Sequence, residues 1–208
     1  MKKIVLLILL TLIQYNFLQA QNFTGRILYE NKFFTPDGKD MTAMMTTMMG
    51  KQQDYYINAR NYKSVLNGKA IQAQIYQSKT NQYFAIFPNK TAQVMDAKLA
   101  QTKVEEIEYS QETLTILGKA CNKLILKRSE STTIYYYAKD IRVNPEPFQN
   151  HLFGNWIDYL RASKGALPLK IIIKTNQFTW ESTAIKIEKM NLSDQDFALP
   201  KGIQIQKK

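Results

Sequence analysis

The chain has 208 residues, a net charge of +11, 45% hydrophobic and 12% aromatic residues, and one cysteine and one histidine. That length suits one domain with a real core. The lone Cys121 excludes an intrachain disulfide, and one Cys with one His cannot supply an ordinary zinc set.

Residues 1–20 read as a cleavable signal peptide. Lys2 and Lys3 precede an apolar run over 4–13, and Leu18-Gln19-Ala20 ends in a small residue. The run falls well short of the roughly 20 residues needed to span a bilayer, and Gln14, Tyr15 and Asn16 close it early. Cleavage near Ala20 predicts a single domain over 21–208, periplasmic or secreted. Lys2 and Lys3 carry two of the charges, so the remainder holds +9. Such a surface favours anionic partners, an anionic membrane surface among them, and export argues against nucleic acid.

Short stretches of period two dominate the chain that follows. Phe23, Gly25, Ile27 and Tyr29 share one face, and Pro36-Asp37-Gly38 turns the chain. The five methionines Met41, Met44, Met45, Met48 and Met49 recur at helical spacing. They predict a helix over 41–49 with Asp40 as N-cap and Gly50 at its end. Thr42, Thr46 and Thr47 weaken it, so it needs a surface to pack on and suits a mobile flap. Extended stretches follow over 53–59 and 62–66, with Asn67-Gly68 marking a hairpin. Others cover 71–77, 82–87, 91–95, 103–109, 113–117, 121–127 and 132–138.

A second helix is predicted over 156–164, capped by Asn155 and stopped by Gly165 and Pro168. Trp156, Ile157 and Leu160, with Phe153 upstream, form its apolar face. Strands over 167–174 and 178–189 complete the series. Roughly ten strands with short turns argue a mainly β (α+β) fold, a meandering antiparallel sheet or incomplete barrel. In Thr133-Ile-Tyr-Tyr-Tyr-Ala138 both faces are apolar, so this strand is covered twice, with helices in the concavity of a curved sheet.

Methionine lines surfaces that accommodate varied apolar shapes, so the five methionines read as one wall of a lipid-binding cavity. Two other readings stand beside it: thioether ligands for Cu(I), and plain packing of a short helix. No catalytic set converges. Cys121 lacks a helix N-terminus to activate it for a dyad with His151. Glu105, Glu106 and Glu108 suit a charged strand edge. Asp194 and Asp196 fall in a turn open to water. No cofactor motif is present, neither a P-loop nor a dinucleotide fingerprint.

Three segments together carry a family resemblance. Asp196-Phe-Ala-Leu-Pro-Lys-Gly-Ile203 resembles the F-x-x-P-x-G ending of the LolA-like lipoprotein-carrier superfamily. Ile116-Leu-Gly-Lys-Ala-Cys-Asn-Lys123 is similar to the I-x-G-x-x-C-x-K strand start of exported Gram-negative proteins of unknown function near that superfamily, and the 23–27 opening is similar too. The resemblance implies a strongly curved, incompletely closed antiparallel half-barrel with one or two helices on the concave side, around an apolar cavity. It brings no catalytic residue. The expected function is therefore a non-enzymatic periplasmic binding or carrier protein for an apolar or acylated ligand. Met41, Met44, Met45, Met48 and Met49 would form one wall, with Trp156, Ile157 and Leu160 as the plug. Cu(I) handling and an envelope interaction module, docking a partner through the methionine helix, are the alternatives.

Overall fold

A computed structural model describes residues 22–99 and 102–207. The leader expected over 1–20 lies outside the described residues. The strands are β1 (Gly25–Phe34), β2 (Gln52–Ile57), β3 (Asn61–Leu66), β4 (Ala73–Gln77), β5 (Gln82–Ile86) and β6 (Thr91–Asp96). They continue as β7 (Glu106–Ile116), β8 (Lys119–Arg128), β9 (Ser131–Arg142), β10 (Ala166–Thr175), β11 (Thr179–Lys189) and β12 (Gln204–Lys207). Among the described residues two α-helices interrupt them, α1 (Thr42–Met49) and α2 (Trp156–Ala162).

All twelve strands form one unclosed sheet in the order β12-β6-β5-β4-β3-β2-β1-β11-β10-β9-β8-β7. Every pairing is antiparallel except β12 on β6. This is the curved, open, mainly β architecture that the strand pattern predicts. The stretches expected over 103–109 and 113–117 are one strand, β7, with a bulge between Ser110 and Thr113. A bulge inserts unpaired residues without ending a strand, which a period-two pattern misreads as a break.

The inner face buries one large cluster. Ile27, Tyr29, Ile57, Tyr62, Tyr76, Leu124 and Leu126 pack there against Ile157, Tyr159 and Leu160 of α2. Alternation sends Phe84 and Ile86 of β5 to the outer face, where Ile75, Ala92 and Phe197 join them in a second core. The C-terminal segment supplies that cover. Phe197 is fully buried, and the F-x-x-P-x-G residues lead through a turn at Gly202 into β12.

Asp194 and Asp196 lie exposed in a short turn, as expected, and both also make structural hydrogen bonds. Asp194 accepts hydrogen bonds from Asn58 Nδ2 and Asn61 Nδ2, and Asp196 completes a capping box with Ser193. Both asparagines are buried. Asp194→Ala leaves their amides unpaired and is expected to cost about 2 kcal/mol in a urea melt. A loss below about 0.5 kcal/mol would exclude this anchoring role.

Strand β9 is double-sided, but not because helices cover both faces. Tyr135 stacks on Tyr159 of α2 with ring centroids 4.1 Å apart. On the other face Tyr136 lies under Lys123, whose ammonium sits 5.9 Å from the ring centroid. Lys123 pairs with Glu112 at 2.6 Å, and the Tyr136 hydroxyl donates to the same carboxylate. The outer cover is thus an ion pair lying over an aromatic ring.

The link from α2 into β10 is closely packed. Gly165 to Leu169 are buried. Pro168 has no N–H, and the β9–β10 register shifts on both sides of it. Three hydroxyls satisfy two carbonyls there: Tyr29 donates to Pro168 O at 2.6 Å, and Tyr159 and Ser163 donate to Ala166 O at 2.8 and 3.0 Å.

Candidate functional site

Helix α2 sits where its sequence places it. Asn155 precedes it with φ 58°, without a side-chain capping bond. Its amide instead donates to Thr102 O, and its carbonyl oxygen Oδ1 accepts from Arg128. Ile157 and Leu160 are fully buried, and Trp156 is half-buried among the rings of Tyr55, Tyr62 and Tyr159, 5.7–6.1 Å away. The plug is therefore also the core of the inner face.

His151 belongs to this cluster. It is fully buried, stacks on Tyr62 at 5.5 Å and on Tyr76 at 4.2 Å, and shares a hydrogen bond of 2.7 Å between Nε2 and the Tyr62 hydroxyl. Nδ1 has no partner among the described residues. A second ring proton would meet no acceptor, and burial lowers the imidazole pKa to about 3. His151 is thus a neutral ring of the core near pH 7.

The remaining reactive groups are also accounted for. Cys121 is buried, its thiol lies 3.5 Å from Lys119 O, and burial pushes its pKa up. Glu106 and Glu108 both pair with Lys127, which holds the Glu108 carboxyl below its usual range. Among the described residues no three His, Cys, Asp or Glu side chains are placed to hold a metal ion.

The methionine helix forms, yet not as one inward wall. Met44 and Met48 are 64% and 51% exposed, while Met41, Met45 and Met49 are half-buried. No residue of α1 is buried. A stripe spanning five positions is wider than the contact that the end of β1 offers, so the pair at i and i+4 faces outward. Met44 and Met48 therefore do not join Trp156, Ile157 and Leu160 around a shared interior.

The helix is also no loose flap. Asp40 accepts from the Thr42 N–H, and Thr42 Oγ1 accepts from the Phe33 N–H. At the other end the Lys69 and Ala70 N–H groups donate to the Thr47 and Met48 carbonyls, satisfying groups a helix end leaves orphaned. The buried Asn31 donates to Gly50 O and accepts from Ser182. Asn67-Gly68 serves this contact rather than a two-residue hairpin. A Cβ on Gly68 would lie 2.3 Å from Met48 O, so glycine is required for close approach.

Three exposed lysines flank α1: Lys39 just before it in the chain, Lys69, whose N–H bonds Thr47 O, and Lys51. Lys51 lines an open depression of about 570 Å³ with Met41, Met44 and Thr46. Two acids share this rim: Asp40, and Glu30 at 3.6 Å from Lys51.

A second concavity was not legible in the sequence. A groove of about 550 Å³ is lined by Tyr109, Asn122, Lys139, Arg142 and Lys164 among others. These residues come from β7, β8, β9 and the end of α2, so no local motif announces them. The one signal was Lys164 directly before the helix-stopping Gly165.

No protein-family model matches the sequence, and no curated protein matches it. Solved structures do. The chain is similar to PNGF-II in two crystal forms, with TM-scores of 0.51 and 0.52 at 18% identity, over 88% of this chain. It covers 31% and 32% of those chains, so it spans about a third of PNGF-II. The likeness is one of fold. The chain is also similar to LolA superfamily protein NE2245 from Nitrosomonas europaea, with a TM-score of 0.37, 9% identity, and 86% and 91% coverage of the two chains.

Proposed function

We propose that this chain is a non-enzymatic, exported binding protein for acylated anionic components of the cell envelope, and that it meets them at the rim where α1 projects. The observation that carries this reading is the exposure of Met44 and Met48 on a helix flanked by the exposed Lys39, Lys51 and Lys69. Apolar side chains with cations beside them complement acyl chains beneath anionic headgroups. The inner face is filled by α2 and the tyrosine rings, whereas the methionine rim offers apolar side chains to the outside.

Full burial of one methionine side chain contributes roughly 1.5–3 kcal/mol, and a lysine near an anionic surface about 1 kcal/mol. The sum supports reversible docking rather than stable anchoring. Co-sedimentation with vesicles of phosphatidylglycerol and phosphatidylcholine tests it. Binding is expected to the anionic vesicles, weaker at 0.5 M salt, and at least tenfold weaker for Met44→Ser/Met48→Ser. Wild-type protein that stays in the supernatant at low salt, or a double variant that binds equally well, would overturn the reading.

A further inference from the structure

The groove between β7–β9 and the end of α2 lies at the other end of the sheet from α1. The register shows this: Phe34, Thr179, Lys174 and Thr132 align at the α1 end, and Gly25, Lys189 and Arg142 at the other. Its cations are Lys123, Lys139, Arg142 and Lys164, and among the described residues no acid lines it. Glu112 neutralises Lys123. Lys139, Arg142 and Lys164 have no ion pair among the described residues, and all three are exposed. Three unpaired cations around one concavity favour a dianion, and a guanidinium matches phosphate oxygens in a two-pronged fork.

The other lining groups point to what carries that charge. Tyr109 is 65% exposed, and its hydroxyl reaches Ala162 O at 3.3 Å, spanning the groove from the edge strand to the helix. Its free ring face offers a flat surface to an apolar ring face, and the Asn122 amide and Ser110 hydroxyl offer donors and acceptors to hydroxyls. A volume of about 550 Å³ falls in the range of small-ligand sites and accommodates one or two sugar rings. Lys164 adds a further observation. It holds φ 55°, a left-handed conformation that glycine or asparagine adopts at less strain. That strain places a cation on the groove at the helix end.

We infer that this groove binds a phosphorylated sugar, the phosphate on Arg142, Lys139 and Lys164 and the ring against Tyr109. The inference goes beyond the docking of α1 and uses none of its residues.

Calorimetric titration of the full chain with glucose 1-phosphate, glucose and inorganic phosphate tests it. Glucose 1-phosphate is expected to bind at least tenfold more tightly than either fragment. Arg142→Gln is expected to weaken it at least tenfold, with the melting temperature unchanged. Lys164→Gly relieves backbone strain as it removes a charge, so it should melt at an equal or higher temperature yet bind at least threefold more weakly. Tyr109→Ala should weaken glucose 1-phosphate and leave inorganic phosphate unaffected. Equal binding of inorganic phosphate and glucose 1-phosphate, or indifference to Arg142→Gln and Lys164→Gly, would overturn the inference. Competition separates two sources of the same chemistry: vesicles bearing a phosphorylated glucosamine lipid compete if the sugar is a lipid headgroup, and a soluble phosphorylated oligosaccharide alone competes if it is free. Failure of both competitors, with glucose 1-phosphate still bound, would limit the site to small sugar phosphates. Met44→Ser/Met48→Ser should leave every titration unchanged, so failure here and failure of vesicle docking are distinguishable.

Discussion

Gly165→Ala should lower the urea midpoint by an amount worth about 3 kcal/mol or more, with little change in the slope of the transition. Two independent costs combine. Gly165 holds φ 82°, where any L side chain is strained by roughly 1–2 kcal/mol. The new Cβ would also stand 2.0 Å from Val143 O, a backbone atom that cannot swing aside. Val143 N–H donates to Gly165 O at 2.9 Å, and Gly165 N–H donates to Leu160 O at 2.7 Å, so relief of the clash breaks the bonds that join α2 to β9 and β10. Overpacking of this kind costs typically 1–3 kcal/mol. Against a usual total of 5–15 kcal/mol, the loss threatens the fold. A midpoint shift equivalent to less than 1 kcal/mol would show that the β9–α2–β10 junction moves freely.

Acidification should destabilise the protein well before its carboxylates titrate. His151 has a folded pKa of about 3, against an ordinary value near 6.5. Between those values the unfolded chain binds a proton that the folded chain refuses, so stability falls as pH drops through that window. From pH 6.5 to pH 5 the loss is about 1.6 kcal/mol, its slope rising toward about 1.4 kcal/mol per pH unit well below pH 6.5. The groups packed on the ring are Tyr62, Tyr76 and Tyr83, and none offers a negative charge near neutrality. Paired carboxylates such as Asp140 and Glu188 have lowered pKa values and add their own losses only below about pH 4. Urea melts at pH 7, 6 and 5 test this, with His151→Gln as the control. The variant is less stable at pH 7 but should lack the slope between pH 6.5 and 5. A wild-type protein equally stable at pH 7 and pH 5 would contradict it.

The strands were legible because alternation is a local signal. Helix α2 was legible because Gly165 and Pro168 mark its exit chemically. Helix α1 shows the limit. Helical spacing of five methionines gives the helix, but which of them face solvent depends on the width of the surface beside it. Gly68 was misread for a related reason: Asn67-Gly68 matches a hairpin turn, but its partner is the backbone of α1. β12 left no trace, since Gln204–Lys207 is short and its partner β6 lies more than 100 residues earlier. Neither candidate site was legible as a set. Lys51 meets Met44 only after β1 and β2 pair, and Arg142 meets Tyr109 only across three strands.

The outer core has a bearing on how the chain reaches its native state. Its lid is the stretch from Leu192 to Ile203, and Asp194 bonds to partners more than 130 residues upstream. Until that stretch arrives, Ile75, Phe84 and Ile86 of the central meander remain open to solvent, beside the unpaired edge of β6. Such distant closure is slow, and chaperones and proteases act on sticky edges of this kind while they last. A chain released before residue 192 would keep its tyrosine-lined interior and lose its outer seal, so quality control can distinguish finished from unfinished copies by touching one face of the sheet.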